Sequence, residues 1–132
     1  MTATSFADYI GTPWQAGAQG PQAFDCMAFF RHVQGAHFGR AVPQIIAPDY
    51  DDPTTLAALF TQHPERTRWA QIARPEHGCA VLIRRPMHIG TWLDVDGGGV
   101  LHCVRGAGVV FTSNSAWPAS GFGRREYFRL AA

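Results

Sequence analysis

The sequence predicts an α+β fold, because its helix signals lie in the first half of the chain and its short β-prone segments lie in the second half. With 132 residues the chain is close to the commonest size of one domain, so we predict a single domain over residues 1–132. Hydrophobic residues make up 46% of the chain, which is enough to bury a core. We therefore expect N-terminal helices packed on a small antiparallel sheet or half-barrel.

The first two helices are predicted from their capping residues. Ser5 is a suitable N-cap for a short helix over Phe6–Ile10, which the Gly-Thr-Pro that follows ends. Asp25 is a good N-cap for a second helix, in which apolar residues recur at helical spacing from Cys26 until Gly35. The second helix therefore carries Cys26 in its first turn.

A connection rich in Pro and Asp, Ala41–Pro53, leads to a third helix. Asp52 is the expected N-cap of this helix, Pro53 takes its first position, and Pro64 ends it. One further helical turn is expected over Arg66–Ile72.

Short β-prone segments separated by Gly-rich or Pro-containing breaks predict the sheet. They are Cys79–Ile83, His88–Val95, Val100–Val104 and Val109–Thr112. Asp96–Gly99 is the hairpin connection between the second and third of these strands. Tyr127–Leu130 is expected to add a last strand at an edge of the sheet.

Charge and composition exclude several classes of function. Eleven basic and ten acidic residues give a formal net charge of +1, so the chain has no electrostatic footprint for nucleic acid or for an anionic membrane. No segment approaches the roughly 20 apolar residues that span a bilayer, and Met1–Ala7 lacks the pattern of a secretory signal. Three cysteines without a CxxC pair predict neither a disulfide framework nor a thiolate zinc site.

Cys26 is the most informative position for chemistry. A thiol in the first turn of a helix faces unpaired N–H groups and the positive end of the helix dipole, which favour the thiolate over the thiol. Such a cysteine is a candidate nucleophile, and a nearby imidazolium would lower its pKa further. The alternative is a buried structural cysteine, since cysteine is among the most buried residue types.

His88 and His102 are the best candidates for a base and its orienting partner. They lie in two β-prone segments joined by a hairpin, so their side chains can meet if the register puts them on one face. A strict four-residue turn over Asp96–Gly99 would pair Val95 with Val100 and place the two imidazoles on opposite faces. We therefore predict a connection of odd length or a bulge.

Several stretches in order resemble one known family. They are Tyr9–Trp14, Phe24–Arg31, Gly78–Ile83, His88–Leu93 and Gly99–His102. Together they are similar to the NlpC-type (p60) cell-wall cysteine peptidases, and most similar to the variants found in phage tail-tip assembly proteins. The resemblance runs over residues 6–112.

The resemblance implies a papain-like core and a Cys-His-His triad. In that family Cys26 would be the nucleophile, His88 the general base and acid, and His102 the residue that orients His88. The bond cleaved would be an amide in the stem peptide of peptidoglycan, between D-γ-glutamyl and a diamino acid, through a thioester intermediate.

Four further residues are expected at the substrate site. Trp14, where the family often has Tyr, and Asp25 are expected beside the nucleophile. Arg84 and Arg85 precede His88 and are candidates for binding a stem-peptide carboxylate, with a solvated loop pair as the alternative reading.

A metal site is disfavoured by spacing. The candidate ligands are His77, Cys79, His102 and Cys103. His102 and Cys103 are adjacent in one strand and point to opposite faces, so both cannot bind one ion without distortion. We expect neither a metal nor another cofactor, and Cys79 and Cys103 are expected to be core thiols.

The expected partner is the peptidoglycan stem peptide, with phage tail proteins as further partners by family analogy. By the same analogy, the protein would be made in the bacterial cytoplasm, carried in a virion tail, and active in the periplasm. Two alternatives stay open: a non-catalytic tail assembly or binding module that keeps the fold, and a thiol acyltransferase.

Overall fold

The computed structural model describes residues 5–47 and 49–131. Over these ranges two helices precede a six-stranded antiparallel sheet and a single helical turn lies before its last strand, so the predicted α+β fold is confirmed. The helices are α1 (Cys26–Phe38), α2 (Pro53–Gln62) and the single turn α3 (Trp117–Ser120), with short 3-10 segments at Phe6–Tyr9 and Pro64–Arg68. The strands are β1 (Trp69–Ile72), β2 (Ala80–Ile83), β3 (His88–Leu93), β4 (Gly99–Val104), β5 (Gly108–Ser113) and β6 (Arg125–Leu130). In the described part of the chain, no helix has both the length and the apolar character needed to cross a membrane.

The sheet order is β1–β6–β2–β3–β4–β5, which places the last strand inside the sheet. β6 pairs with both β1 and β2, so the prediction of an edge strand at Tyr127–Leu130 is wrong. The helical turn expected over Arg66–Ile72 is also wrong beyond Arg68, because Trp69 begins β1 and packs its buried ring against Phe30 of α1. Because this indole is buried, the segment joins the sheet as β1, and β1 pairs with the outer edge of β6.

The helix starts follow the predicted caps. The Ser5 side chain accepts a hydrogen bond from the backbone of the first 3-10 segment. The Asp25 carboxylate accepts the N–H of Ala28 at 2.7 Å, and the Asp52 carboxylate accepts the N–H of Thr54 at 3.0 Å. These bonds satisfy backbone donors that have no partner within the helix. The cap at Asp25 fixes Cys26 as the first residue of α1.

The sequence predicts that helix α1 ends at Gly35. In the structure it continues to Phe38. Gly in a helix interior costs up to about 1 kcal/mol relative to Ala, so an additional interaction must hold this turn. Gln34, which is fully buried, provides one by donating a hydrogen bond of 3.0 Å to the carbonyl of Gly78. The helix ends at Gly39, whose φ of 64° is the left-handed conformation that glycine adopts without strain.

The β3–β4 hairpin brings the two histidines to one face of the sheet. Leu93 pairs with Gly99, so the connection is five residues long and the predicted odd length is confirmed. In this register Gly90 lies opposite His102, and His88 is two residues earlier on the same face. The two imidazoles are therefore diagonal neighbours on adjacent strands.

Candidate active site

Cys26 lies where the paired part of β3 and β4 ends. Pairing between these strands stops at Gly90 and His102. Ile89, the residue that follows His88 in β3, packs against the apolar cluster that contains Cys26, and its backbone N–H lowers the pKa of the Cys26 thiol.

Cys26 and His88 also share one open cleft of about 560 Å³. It is lined by the N-terminus of α1, the start of β3, the connection before α2, the first turns of α2, the β2–β3 loop and the end of β4. Tyr50 and Met87 are among the lining residues. In the part of the chain that the structure describes, no direct hydrogen bond joins the Cys26 sulfur to the imidazole of His88.

The predicted thiolate character of Cys26 is wrong for this arrangement. Burial raises the pKa of the Cys26 thiol to about 12, and the negative charge of Asp25 adds to the increase. The N–H groups of Ile89 and Met27 lower the pKa of the thiol, but by less than burial raises it. Removal from water therefore outweighs the helix terminus, and the sulfur carries its proton at neutral pH.

His88 and His102 form a buried hydrogen-bonded pair. The Nε2 atom of His88 lies 2.7 Å from Nδ1 of His102, and the rings are nearly parallel with an interplanar angle of 9°. The other nitrogen of His88 lies 2.6 Å from the carbonyl oxygen of Pro86, and the other nitrogen of His102 lies 3.0 Å from Oγ1 of Thr112. All four ring nitrogens therefore have partners.

The partners determine which nitrogens carry protons in the neutral pair. A carbonyl oxygen only accepts, so Nδ1 of His88 is the protonated nitrogen and its Nε2 accepts from Nδ1–H of His102. Nε2 of His102 must then accept the hydroxyl hydrogen of Thr112. A single direction of hydrogen bonding runs from Thr112 through both histidines to Pro86.

Two aromatic side chains cover the histidine pair. The ring of Phe122 lies 5.5 Å from that of His88 and 4.9 Å from that of His102, and Trp117 stacks on His102 at 6.0 Å. Burial lowers the pKa of His88 to about 4 and lowers the pKa of His102 well below its ordinary value. At neutral pH both imidazoles are therefore uncharged.

Asp25 is fully buried, and both of its carboxylate oxygens are occupied. One accepts the N–H of Ala28 and the other accepts the hydroxyl of Tyr50. Trp14 lines the cleft, with the ring of Tyr50 edge-on to it at 5.8 Å and the guanidinium of Arg105 at 5.2 Å. The structure thus brings Trp14 to the cleft, whereas Asp25 does not line it and acts as helix cap and as acceptor for Tyr50.

Arg84 and Arg85 also line the cleft, on the side from which β3 begins. Arg84 forms an ion pair of 2.7 Å with Glu126, whereas Arg85 is exposed to solvent. The two side chains therefore differ in how freely they can meet a ligand.

Sequence reasoning missed Tyr50, Thr112 and the N–H of Ile89. Tyr50 lies in an irregular connection, where no periodicity marks a functional position. Thr112 was included in a predicted strand, but only the β4–β5 register, which pairs Val110 with His102, shows that it reaches the histidine.

The remaining metal candidates are not assembled. Within residues 5–47 and 49–131, no three His, Cys, Asp or Glu side chains are placed so that they could hold a metal ion. Cys79 and Cys103 are buried and carry no disulfide. Cys103 borders the cleft beside Cys26, whereas Cys79 packs under Trp92 on the other face of the sheet.

Comparisons with known proteins show the fold. No protein-family model matches the chain, and no curated protein matches it. Among fourteen matching chains of solved structures is the crystal structure of the NlpC/p60 domain of the peptidoglycan hydrolase SagA. It matches with a TM-score of 0.59 and 19% sequence identity, over 92% of this chain and 91% of that one. The chain therefore has a papain-like α+β core of the NlpC/p60 type, as the sequence led us to expect.

Proposed function

We propose that the protein is a cysteine peptidase that hydrolyses an amide bond in the stem peptide of peptidoglycan, of the D-γ-glutamyl-diamino acid type. The observation that carries the proposal is one cleft lined both by Cys26, at a helix start, and by His88, which is hydrogen-bonded to His102. The solved NlpC/p60 domain with the same fold is part of a peptidoglycan hydrolase, which supports this substrate class.

In the proposed reaction Cys26 is the nucleophile. Its proton passes to His88 as the sulfur bonds to the substrate carbonyl carbon, and His88 then gives that proton to the departing amine as the C–N bond breaks. Water hydrolyses the resulting thioester and regenerates the thiol. The N–H of Cys26 has no acceptor among the described residues, so it is available to stabilise the oxyanion.

Attack requires the hydrogen bonds of the histidine pair to reverse direction. Nδ1 of His88 must leave the carbonyl of Pro86 before it can accept the thiol proton. In one concerted transfer, water protonates Nε2 of His102, the Nδ1 proton of His102 moves to Nε2 of His88, and Nδ1 of His88 gives its proton to water. Nε2–H of His102 then donates to Thr112, and both imidazoles are neutral before and after the transfer.

The alternative of a non-catalytic assembly or binding module is favoured by one observation. The thiol of Cys26 is protonated and both nitrogens of His88 are occupied, so the pair does not form a thiolate and imidazolium in this structure. Such a module would bind peptidoglycan or tail proteins through the same cleft.

Resemblance to tail-tip proteins supports a proposed location in a phage virion, with synthesis in the bacterial cytoplasm and action in the periplasm.

Digestion of purified sacculi followed by mass analysis of the soluble muropeptides tests the proposal. The native protein should release fragments with a new amine on the diamino acid, and Cys26→Ala should release none. Cys79→Ala is the matched control, because that thiol is also buried but lies outside the cleft. Binding to sacculi without any released fragment would favour the assembly module.

A further inference from the structure

A second depression adjoins the catalytic cleft and is lined by arginine. It has a volume of about 440 Å³, and its lining consists of Arg84, Arg85, Gly123 and Arg124. Arg84 and Arg85 also line the cleft that contains Cys26, so the two spaces adjoin at these residues. A ligand in the cleft can therefore extend one group into the depression.

Backbone hydrogen bonds hold the two segments that carry these arginines together. The N–H of Arg84 donates to the carbonyl of Arg124 at 2.9 Å, and the N–H of Gly123 donates to the carbonyl of Arg85 at 3.2 Å. A Cβ atom at Gly123 would overlap the carbonyl oxygen of Arg84. The close approach of the two segments therefore requires glycine, and it brings three arginine residues to the lining of one depression.

The depression carries excess positive charge. Glu126 is the one carboxylate that pairs with these arginines in the described structure, at 2.7 Å from Arg84 and 3.8 Å from Arg124. Arg85 is exposed and forms no ion pair within the described ranges. Three guanidinium groups against one carboxylate leave two positive charges to attract an anion.

The position of the depression indicates which half of the substrate would occupy it. Arg85 lies three residues before His88, in the loop that leads into β3. In the proposed reaction His88 protonates the departing amine, so the residue that bears this amine lies on the His88 side of the cleft. That residue is the diamino acid of the stem peptide.

We propose that the depression lined by Arg84, Arg85 and Arg124 is a carboxylate subsite that selects the diamino acid. It favours a residue whose side chain ends in a carboxylate as well as an amine, such as meso-diaminopimelate, over lysine, whose side chain carries only an ammonium group. Arg85 is the specificity-determining residue, because its guanidinium is exposed and lacks an ion pair within the described chain. This inference rests on the proposed hydrolase function.

The test compares two synthetic tripeptides, L-Ala-γ-D-Glu followed by either meso-diaminopimelate or L-lysine. We expect the native protein to cleave the first with a kcat/KM about tenfold higher. Arg85→Gln should reduce this preference about three- to tenfold, mainly through KM for the diaminopimelate peptide, as expected for losing one charged contact. Arg85→Lys keeps the charge and should retain part of the preference.

Arg74→Gln is the matched control, because Arg74 is an exposed arginine that lines neither the cleft nor the depression. This control should keep the native preference. Equal cleavage of both peptides by the native protein, or a preference that Arg85→Gln leaves unchanged, overturns the carboxylate subsite while the hydrolase function stands. Cleavage of neither peptide, together with unchanged muropeptides from sacculi, overturns the hydrolase function and the subsite with it.

Discussion

The Nδ1–H of His88 donates a 2.6 Å hydrogen bond to the carbonyl oxygen of Pro86, two residues earlier in the chain. This contact commits one nitrogen of the candidate base to the loop before β3, and His102 occupies the other nitrogen. The thiol of Cys26 is meanwhile protonated and buried. In the proposed hydrolase, this is the proton arrangement of a resting site.

The first prediction concerns the reactivity of Cys26 without substrate. Because the pKa of the thiol is raised to about 12, its thiolate fraction is very small at pH 7. This fraction increases about tenfold with each unit by which the pH rises, as long as the pH stays below the pKa. We expect alkylation by iodoacetamide, followed by peptide mass analysis, to accelerate steadily between pH 7 and pH 10. The peptide from Cys26→Ala identifies the signal, and a rate that levels off below pH 8 would contradict the raised pKa.

The second prediction concerns Thr112. Its hydroxyl donates a hydrogen bond to Nε2 of His102 and accepts one from Nε2–H of His102 after the proposed reversal. Thr112→Val keeps the shape of the side chain and removes this partner, so kcat on muropeptides should fall about tenfold, equivalent to roughly 1.5 kcal/mol for one charge-assisted bond. KM should change little.

Thr112→Ser is the control for this prediction, because it restores the hydroxyl and should recover most of kcat. Full kcat in Thr112→Val would show that the hydroxyl has no role in orienting His102. Thermal unfolding of both variants separates an effect on kcat from a loss of folded protein.

A helix-capping residue and the alternation of side chains in strands were enough to predict two features of the candidate site. The cap at Asp25 places Cys26 at a helix start through contacts within four residues. Two-residue alternation in strands was enough to require an odd hairpin connection if His88 and His102 were to meet. These inferences hold because each depends on neighbours in sequence or on one hairpin.

Features that depend on distant packing could not be predicted from the sequence. The position of β6 between β1 and β2 depends on strands more than 40 residues apart in the chain. The raised pKa of Cys26 depends on how completely the fold excludes water from the sulfur, whereas the sequence shows only the helix terminus. The carbonyl oxygen of Pro86 accepts a hydrogen bond from His88 because of the conformation of the loop before β3, which no pattern of side chains in the sequence indicates.

The third prediction concerns Phe122, whose ring covers both histidines. Phe122→Ala admits water to the pair, so the pKa of His88 should rise from about 4 toward its ordinary value of 6.5. The proposed base must be unprotonated, so activity is lost when the pH falls below this pKa. The acid limb of the pH profile of kcat/KM should therefore move to higher pH in Phe122→Ala.

Phe122→Leu keeps an apolar side chain over the histidines and should leave the acid limb near its native position. An acid limb at the same pH in the native protein and in Phe122→Ala would show that this ring does not control the ionisation of His88.

The fourth prediction concerns stability in acid. The folded pKa of His88, about 4, lies below the ordinary value of 6.5 that applies after unfolding, so between these values the unfolded chain binds more protons. The free energy of unfolding should therefore be unaffected by His88 above pH 6.5 and should fall by about 3 kcal/mol between pH 6.5 and pH 4. Urea unfolding at several pH values measures this loss. His88→Gln removes the titrating group, so its stability should depend less steeply on pH over the same range, and a slope equal to that of the native protein would show that His88 is not held neutral by burial.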